Sequence, residues 1–350
     1  MSETLLINNI LNTFLEHKAT DLHLLAGNNP VIRAGGKLIT LTDQDILNPD
    51  TIQSIAESFL NKEQLEELYQ KKELATSYFW ANRARFRVKL FYQKGFLAIS
   101  LRLIPSYISS PKELKIPTVI LQLLNKEKGL IIITGPFGSG RTTTAASLLE
   151  TLNQNKGRHI QTLEKPIEYL FINNQSIIEQ REVGRDVKSF CQGLKDMFNE
   201  DIDVVFADQF YEEGMADLVL ELVESGKLLI LIMDANSSIF AIERFLSLLT
   251  PAKRAWGQEL LPEVLLGILS QRLLPKIGGG LALATEVLTS TNAVKSSIRD
   301  DNFQQLKSIM QTSRDEGMQV LDKSLLELVK NGQINMDDAK KELVDFSTLR

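Results

Sequence analysis

One segment constrains this chain more than any other: an apolar run that leads directly into a glycine-rich loop. Residues 130–134 are Leu-Ile-Ile-Ile-Thr, the pattern of a buried β-strand, and a segment able to form a helix follows the loop. Between them, residues 135–142 are Gly-Pro-Phe-Gly-Ser-Gly-Arg-Thr. Such glycines let backbone N–H groups turn inward around an anion, and the amino end of the next helix points at the same place. The segment therefore predicts a phosphate-binding loop.

The loop departs from the common pattern G-x-x-x-x-G-K-[ST] at one position, because Arg141 stands where lysine is expected. Arginine is longer, planar and forked, so it does not replace a compact ammonium group. We expect the backbone amides to retain some affinity, and the terminal phosphate to be positioned poorly. Thr142 would offer its hydroxyl to Mg²⁺. The other interpretation is a turn that has lost its ligand. The predicted phosphate-binding residues are Gly135, Pro136, Phe137, Gly138, Ser139, Gly140, Arg141, Thr142 and Thr143.

Further apolar runs follow the loop at residues 159–163, 204–207 and 228–233, and helical stretches separate them. Buried strands that alternate with helices are typical of a parallel sheet covered on both faces. The pattern predicts an α/β domain over residues 118–350, with a helical tail from about residue 303.

The first hundred residues have a different pattern, with helical periods at 4–18 and 50–72 and several short strand-like runs. In residues 83–92, apolar and basic side chains alternate, which predicts a half-buried antiparallel strand with one charged face. These features predict a small α+β domain over 1–104. The prolines at 105, 111 and 117 predict an extended linker over 105–117.

Composition narrows the function classes. Lys and Arg number 39 and Asp and Glu 44, a net charge of −5, which gives no general attraction to nucleic acid or anionic lipid. The single cysteine, Cys191, excludes an internal disulfide and a cysteine metal cluster, and is predicted to be a small apolar residue, buried or half-buried. The sequence has no signal-peptide pattern and no apolar run long enough to span a bilayer. We expect a cytoplasmic protein that does not insert into a membrane.

Three segments carry a family resemblance: GLIIITGPFGSGRTTT at 129–144, HIQTLEKPIEYL at 159–170 and QREVGRD at 180–186. They resemble the secretion and pilus ATPases, in particular the twitching-motility (retraction) subgroup of the PilT and PilU type. The phrases FYQKG, QREVG and QLKSIMQTSRDEGMQ lean towards the PilU type, an accessory retraction motor. The resemblance spans nearly the whole chain.

The resemblance implies a PAS-like amino-terminal domain, a RecA-like P-loop domain, and a hexameric ring that binds ATP or ADP with Mg²⁺ between subunits. It also implies an acidic box, in which Glu164 and Glu168 occupy the two glutamate positions and Lys165 replaces the usual aspartate. Glu164 follows an apolar strand, where a carboxylate could orient an attacking water. The other interpretation of Glu164 is a solvated glutamate at a strand end.

The implied Walker B segment is altered, because Gln209 of DIDVVFADQF takes the glutamate position. An amide lacks the negative charge that helps to hold Mg²⁺. Asp208 is adjacent, but side chains alternate faces along a strand. Asp208 could therefore substitute only if the strand ended early or bulged.

The implied histidine box is altered too, because Lys227 and Asp234 stand at positions usually held by histidine. Asp234 near a triphosphate would repel it; the other interpretation is a solvated residue at a strand end. Two arginines that the family places before Walker B are Lys195 and Asn199 here.

Arginines of the amino-terminal domain could also face a phosphate across a domain interface. The candidates are Arg85 and Arg102, with Arg83 and Arg87 beside them. The alternative is that they form only the charged face of an outer sheet.

The preferred hypothesis is an accessory type IV pilus retraction subunit that binds ATP or ADP with impaired hydrolysis. It would form a homo- or hetero-hexamer with a paralogous motor, on the pilus platform protein at the cytoplasmic side of the inner membrane. A second hypothesis is an active ATPase with a rewired site, in which Arg141 acts as the lysine, Asp208 holds Mg²⁺ and Glu164 orients water. A third is a nucleotide-free scaffold subunit of the pilus or secretion machinery.

Overall fold

The computed structural model of the chain describes residues 3–35, 37–81, 83–104 and 107–343. These residues form two compact units. The first unit consists of Met1–Tyr107 and the short segment Pro166–Leu170, and the second of Ile108–Lys165 and Phe171–Arg350. No helix in the described ranges combines the length and apolar character that crossing a bilayer requires.

The first unit is a six-stranded antiparallel sheet with helices, in the strand order β3-β2-β1-β6-β5-β4. Ile10, Leu11 and Phe14 of the first helix are completely buried in its core. The predicted small α+β fold is confirmed. The sequence also predicts a tight turn at Gly35 and Gly36, of which Gly36 lies outside the described ranges. Its elements are α1 (Glu3–Glu16), β1 (Asp21–Leu25), β2 (Val31–Ala34), β3 (Lys37–Thr40), α2 (Pro49–Phe59), α3 (Lys62–Lys71), β4 (Glu73–Trp80), β5 (Ala84–Gln93) and β6 (Phe96–Ile104).

The second unit contains a seven-stranded sheet in the order β13-β12-β7-β11-β10-β8-β9. Every neighbouring pair is parallel except β12 and β13. Its elements are α4 (Pro111–Leu114), α5 (Thr118–Leu123), β7 (Gly129–Thr134), α6 (Arg141–Asn155), β8 (His159–Glu164), β9 (Ile177–Glu182), α7 (Phe190–Asp196), β10 (Val204–Ala207), α8 (Met215–Glu224), β11 (Leu228–Met233), α9 (Ser238–Ser247), α10 (Arg254–Val264), β12 (Leu265–Pro275), β13 (Leu281–Thr289), α11 (Asn292–Arg299), α12 (Gln304–Thr312), α13 (Leu321–Lys330) and α14 (Met336–Glu342).

The sheet of the second unit explains why the site residues meet. All residues of β7, β10 and β11 are buried, as expected for strands covered on both faces. Because β7, β8, β10 and β11 run parallel, their carboxyl ends lie along one edge of the sheet. The loops that follow these four strands therefore lie side by side, and they carry most of the predicted site residues.

The extended linker predicted over 105–117 is partly wrong, since α4 is a one-turn helix within it. Ser110 and Glu113 form a capping box, in which each side chain hydrogen-bonds the backbone N–H of the other residue. Pro111 occupies the first helical position, where its missing N–H costs nothing. Pro105 lies outside the described ranges.

Candidate functional site

The phosphate loop joins the end of β7 to the start of α6. Gly140 precedes α6 with a φ of 87°. No side chain caps the first turn of α6, so the N–H groups of that turn face the loop. Gly135 has a φ of 149°, and a Cβ placed there would lie 2.5 Å from both the Gln271 carbonyl oxygen and Ser139 Oγ. Only glycine fits at such a close backbone approach.

Ser139 places a buried hydroxyl in this loop. Its residue is 3% exposed, and its Oγ has no hydrogen-bond partner within the described part of the chain. Phe137, by contrast, is 89% exposed at the loop surface. An anion at the amino end of a fifteen-residue helix beside a buried hydroxyl is physically reasonable. The loop therefore fits a phosphate group.

Arg141 does not point freely into this loop. Its side chain is 14% exposed, Nη1 donates to the carbonyl of Met233 at 2.9 Å, and the same nitrogen pairs with the carboxylate of Asp234. The Asp234 side chain is 72% exposed, so it meets the guanidinium from the solvent side. Neither interpretation of Asp234 from the sequence included this partner. The pairing brings together the two residues that stand where the resemblance implies lysine and histidine.

Asp208 and Gln209 together hold the backbone of Lys165. β10 ends at Ala207, so the early strand end required for Asp208 to reach the site is present. However, Asp208 Oδ2 accepts the Lys165 N–H at 2.8 Å, and Gln209 Nε2 donates to the Lys165 carbonyl at 2.9 Å. The two side chains therefore clamp the end of β8 to the end of β10.

Glu164 is not a solvated strand-end residue, and that interpretation is wrong. The residue is 2% exposed, and its Oε1 accepts from Thr162 Oγ1 at 2.7 Å and from Gln180 Nε2 at 3.0 Å. The reason is topological, because β8 lies between β9 and β10 and both neighbours cover its end. Its carboxylate is oriented by hydrogen bonds, as a residue that positions water would need to be.

The second acidic-box residue, Glu168, belongs to the first unit. Its Oε1 accepts from Arg87 Nη1 at 2.7 Å. Two further arginines of this unit also have partners: Arg85 donates to Ser77 Oγ at 3.0 Å and Arg102 to Asp21 Oδ1 at 2.8 Å. Their role towards a phosphate stays a prediction.

The pKa of Asp21 shows the effect of its ion pair with Arg102. Burial raises the pKa of Asp21, but hydrogen bonds from Arg102 and Thr20 and the charge of Arg102 outweigh it and hold that pKa below its usual value. A phosphate approaching Arg102 would compete with a carboxylate already in place.

The two positions at which the resemblance implies arginines are exposed: Lys195 in the last turn of α7 and Asn199 in the 3-10 turn that follows. Lys227, at a histidine position, has a structural contact. Its Nζ donates to the carbonyls of Glu200 at 3.3 Å and Ile202 at 3.1 Å, so it braces the loop before β10.

Mg²⁺ fits this site less well than phosphate does. Within the described ranges, no group of three or more His, Cys, Asp or Glu side chains is arranged to hold a metal ion. Gln209 contributes an amide, and Asp208 already accepts from Lys165. Thr142 supplies a hydroxyl at the start of α6, which alone is a weak ligand set for Mg²⁺.

Gln271 is a residue that the sequence analysis missed. It is completely buried on β12, and its Nε2 donates to the carbonyl of Ser139 at 2.6 Å. β12 lies beside β7 in parallel register, Ser270 opposite Thr134, so Gln271 meets the start of the phosphate loop. The contact joins residues 132 positions apart, which no local pattern reveals.

A polar depression of about 510 Å³ lies elsewhere on the second unit. It opens near the amino ends of β8 and β10, whereas the phosphate loop lies at the carboxyl edge of the sheet. The residues that line it are His159, Gln161, Glu179, Arg181, Glu200 and Asp201.

Comparison with known proteins identifies the family. Residues 108–330 match the family described as "Type II/IV secretion system protein". The chain is 32% identical to the type IV pilus retraction ATPase PilT of Pseudomonas aeruginosa, covering 96% of this chain and 97% of that protein. It is 29% identical to the type IV pilus ATPase PilU of the same organism, covering 97% and 89%. These identities are too similar to assign the chain to one subgroup.

The fold agrees with these relatives. A crystal structure of the pilus retraction motor PilT with bound ADP superimposes with a TM-score of 0.89 at 36% identity, covering 97% of both chains. The RecA-like fold predicted from the sequence is thereby confirmed. The chain belongs to the type II/IV secretion ATPase family, among the pilus retraction ATPases of the PilT and PilU type.

Proposed function

We propose that this chain is an accessory subunit of a type IV pilus retraction machine, which binds ATP or ADP and hydrolyses ATP slowly or not at all. The observation that carries the proposal is the ion pair of Arg141 with Asp234. It engages the side chain that should hold the terminal phosphate, at the loop where a nucleotide of this family would bind. The solved relative PilT carries ADP, which supports the choice of ligand.

Nucleotide binding depends mainly on the backbone in this proposal. The glycine conformations at 135 and 140 and the uncapped start of α6 present N–H groups to a phosphate. Ser139 Oγ can add a hydrogen bond from a buried position. These contacts do not require Arg141, so weak binding of ATP or ADP survives its pairing with Asp234.

The expected impairment of hydrolysis follows from changes in the groups that would otherwise stabilise the charge developing in the transition state. Gln209 cannot contribute a carboxylate to Mg²⁺, and it is hydrogen-bonded to Lys165. Lys195 and Asn199 replace the family's two arginines, and an arginine at such a position can contribute about 10³–10⁵ in rate. Glu164 alone retains a buried, oriented carboxylate. A site of this composition holds nucleotide better than it cleaves it.

The intact core argues for a role in an assembly. The strands around the altered positions are buried, and every apolar side chain of β7 and β11 packs inside. We propose that the amino-terminal domain (1–104) and the RecA-like domain (118–350) build a ring, alone or with a paralogous motor. The ring would sit on the pilus platform protein at the cytoplasmic face of the inner membrane.

The test is nucleotide binding and phosphate release by the purified protein, alone and mixed with a motif-complete motor. We expect weak ADP binding that Thr142→Ala reduces, and turnover far below that of the motor. Robust turnover by the pure protein, abolished by Thr142→Ala, would instead establish an active ATPase with a rewired site. Absence of any nucleotide binding would leave the scaffold hypothesis.

A further inference from the structure

We propose that Gln271 and Arg272 of β12 are positioning residues for the nucleotide loops, and that Glu342 of α14 is coupled to the phosphate loop through them. This inference rests on the proposed nucleotide binding at that loop. It assigns a role to a strand and a carboxy-terminal helix that carry none of the altered family motifs.

The side chain of Gln271 forms a hydrogen bond with the backbone of the phosphate loop. Its Nε2 donates to the Ser139 carbonyl at 2.6 Å, so this carbonyl turns towards β12 and away from the concave side of the loop. The backbone carbonyl of Gln271 borders Gly135, where it would lie 2.5 Å from an added Cβ. A cradle of inward N–H groups requires that its carbonyls face outward. Gln271 stabilises that orientation at the middle of the loop.

Arg272 connects three parts of the second unit. The residue is 8% exposed, and Nη1 donates to the carbonyl of Gln271 at 3.0 Å. Its Nη2 donates to the carbonyl of Asn236 at 2.6 Å, and its Nε to Glu342 Oε2 at 3.1 Å. Asn236 lies two residues after Asp234, in the loop that follows β11. One buried guanidinium therefore fixes the strand behind the phosphate loop and the loop that carries the partner of Arg141.

Glu342 is the carboxylate that compensates this charge. Loss of the only partner of a buried charge is costlier than loss of an exposed pair, because the remaining charge stays poorly solvated. Within the described residues, the carboxylate that forms an ion pair with Arg272 is that of Glu342. Neutralising Glu342 should therefore shift Arg272 and loosen the two carbonyls that it holds. Coupling of this kind is reciprocal, so a nucleotide at the loop should in turn order α14.

The first experiment compares Gln271→Met with Gln333→Met, a control glutamine whose partner is Lys115. Amide hydrogen exchange of residues 138–141 is measured without ligand, and the Kd for a fluorescent ADP analogue is measured by titration. Loss of one buried hydrogen bond predicts exchange and Kd about tenfold higher in Gln271→Met. The control should match the unmodified protein.

The second experiment compares Glu342→Gln with Asp337→Asn, an exposed acid on the same helix. We expect Glu342→Gln to raise the Kd for the ADP analogue about threefold to tenfold and Asp337→Asn to leave it unchanged. We also expect ADP to slow the exchange of α14 amides in the unmodified protein and less so in Glu342→Gln. Unchanged affinity and exchange in Glu342→Gln would overturn the coupling.

The two proposals fail in different ways. If the unmodified protein binds no ADP analogue, the proposed function is wrong, and ligand-free exchange still decides the role of Gln271. If ADP binds but Gln271→Met leaves both the loop exchange and the Kd unchanged, the positioning role is wrong and nucleotide binding stands.

Discussion

The guanidinium of Arg141 is bonded to the carboxylate of Asp234, although 93 positions separate them in the chain. The family resemblance implies lysine at the first position and histidine at the second. Two departures that look independent in the sequence are thus one contact in the fold. An arginine can reach the end of β11 and take the Met233 carbonyl as well. The pair neutralises the carboxylate that would otherwise repel a triphosphate.

Replacement of Asp234 by asparagine should strengthen nucleotide binding. The change removes a negative charge beside the phosphate loop and releases Arg141 from its ion pair. Because the Asp234 side chain is 72% exposed, solvent screens the pair, and a gain of about 1 kcal/mol, roughly fivefold in Kd, is expected. The measurement is titration with a fluorescent ADP analogue at low and high salt.

The matched control for this change is Asp315→Asn, an exposed acid in the 3-10 turn before α13. It alters the net charge equally and should leave the Kd unchanged. The gain from Asp234→Asn should also shrink in the background Arg141→Ala, since part of the effect comes from releasing the guanidinium. Weaker ADP binding by Asp234→Asn would mean that the pair supports the loop instead of obstructing it.

Replacement of Gln209 by glutamate should destabilise the site without restoring activity. The amide donates to the Lys165 carbonyl, and a carboxylate at the same place would face that oxygen with no proton to share. Loss of this hydrogen bond should cost about 1 kcal/mol, seen as a lower Tm of the second unit. Gln209→Met is the control for loss of the donor without added charge. A higher Tm in Gln209→Glu would show that the clamp on Lys165 is unimportant.

The oligomeric state provides a test that does not depend on ATP hydrolysis. We expect hexamers, either of this chain alone or mixed with a motif-complete paralogue, because the relatives share its two-unit layout over nearly their full length. Light scattering at high concentration, with and without ADP and a motor partner, measures the mass directly. A species that stays monomeric under all four conditions contradicts the prediction.

Local sequence patterns predicted the elements better than the contacts. β10 and β11 have the predicted limits, since continuous apolar runs between helical stretches leave few alternatives. The one-turn helix at Pro111–Leu114 was missed although Ser110 and Glu113 carry a capping-box pattern, because prolines at three nearby positions suggested extension. A local signal was available there and could have been used.

The contacts that the sequence analysis missed are long-range contacts. The bonds of Arg141 to Asp234 and of Gln271 to Ser139 join residues 93 and 132 positions apart. They depend on the order of strands in the sheet, and a single sequence does not specify which strands become neighbours. β12 in particular pairs with β7, although several strands and helices separate the two in the sequence. Residues of a site that come from such strands require the fold to be known.

Lowering the pH should reduce the stability of the first unit, partly through protonation of Asp21. Its pKa is lowered in the folded state, so its contribution is present above the unfolded value of about 3.9 and is lost as the pH falls through the folded pKa. Asp21→Asn should therefore reduce stability by about 1 kcal/mol or less at pH 7, because Arg102 is largely exposed. The difference between the two proteins should shrink as the pH falls below the unfolded pKa of Asp21 and vanish below its lowered folded pKa.

Tryptophan fluorescence can follow this effect in one unit. The chain has two tryptophans, and in the variant Trp256→Phe only Trp80 remains, which is buried in the first unit. Urea unfolding of that variant, with and without Asp21→Asn, is measured between pH 7 and pH 3. Asp45→Asn, an exposed acid of the same unit, is the control. A destabilisation that grows on acidification would contradict the assigned role of Asp21.

Restoring hydrolysis should require several changes at once. Arg141→Lys alone leaves the new ammonium beside Asp234, so it should improve binding more than rate. Adding Asp234→His removes that competitor, but the arginine positions would still be Lys195 and Asn199. Groups that act together in a transition state are strongly non-additive. We therefore expect each single variant to stay near the unmodified rate.

Appreciable turnover is expected only when Arg141→Lys, Gln209→Glu, Lys195→Arg, Asn199→Arg and Asp234→His are combined. The two arginines should contribute the largest factor, since charge develops on the transferred phosphoryl group and an arginine there contributes about 10³–10⁵ in rate. Phosphate release at saturating Mg-ATP is measured for each single variant, for the combination, and for the combination carrying Thr142→Ala as the inactive control. Full motor-like turnover from Gln209→Glu alone would refute a broadly altered site, because one carboxylate would then suffice to complete it.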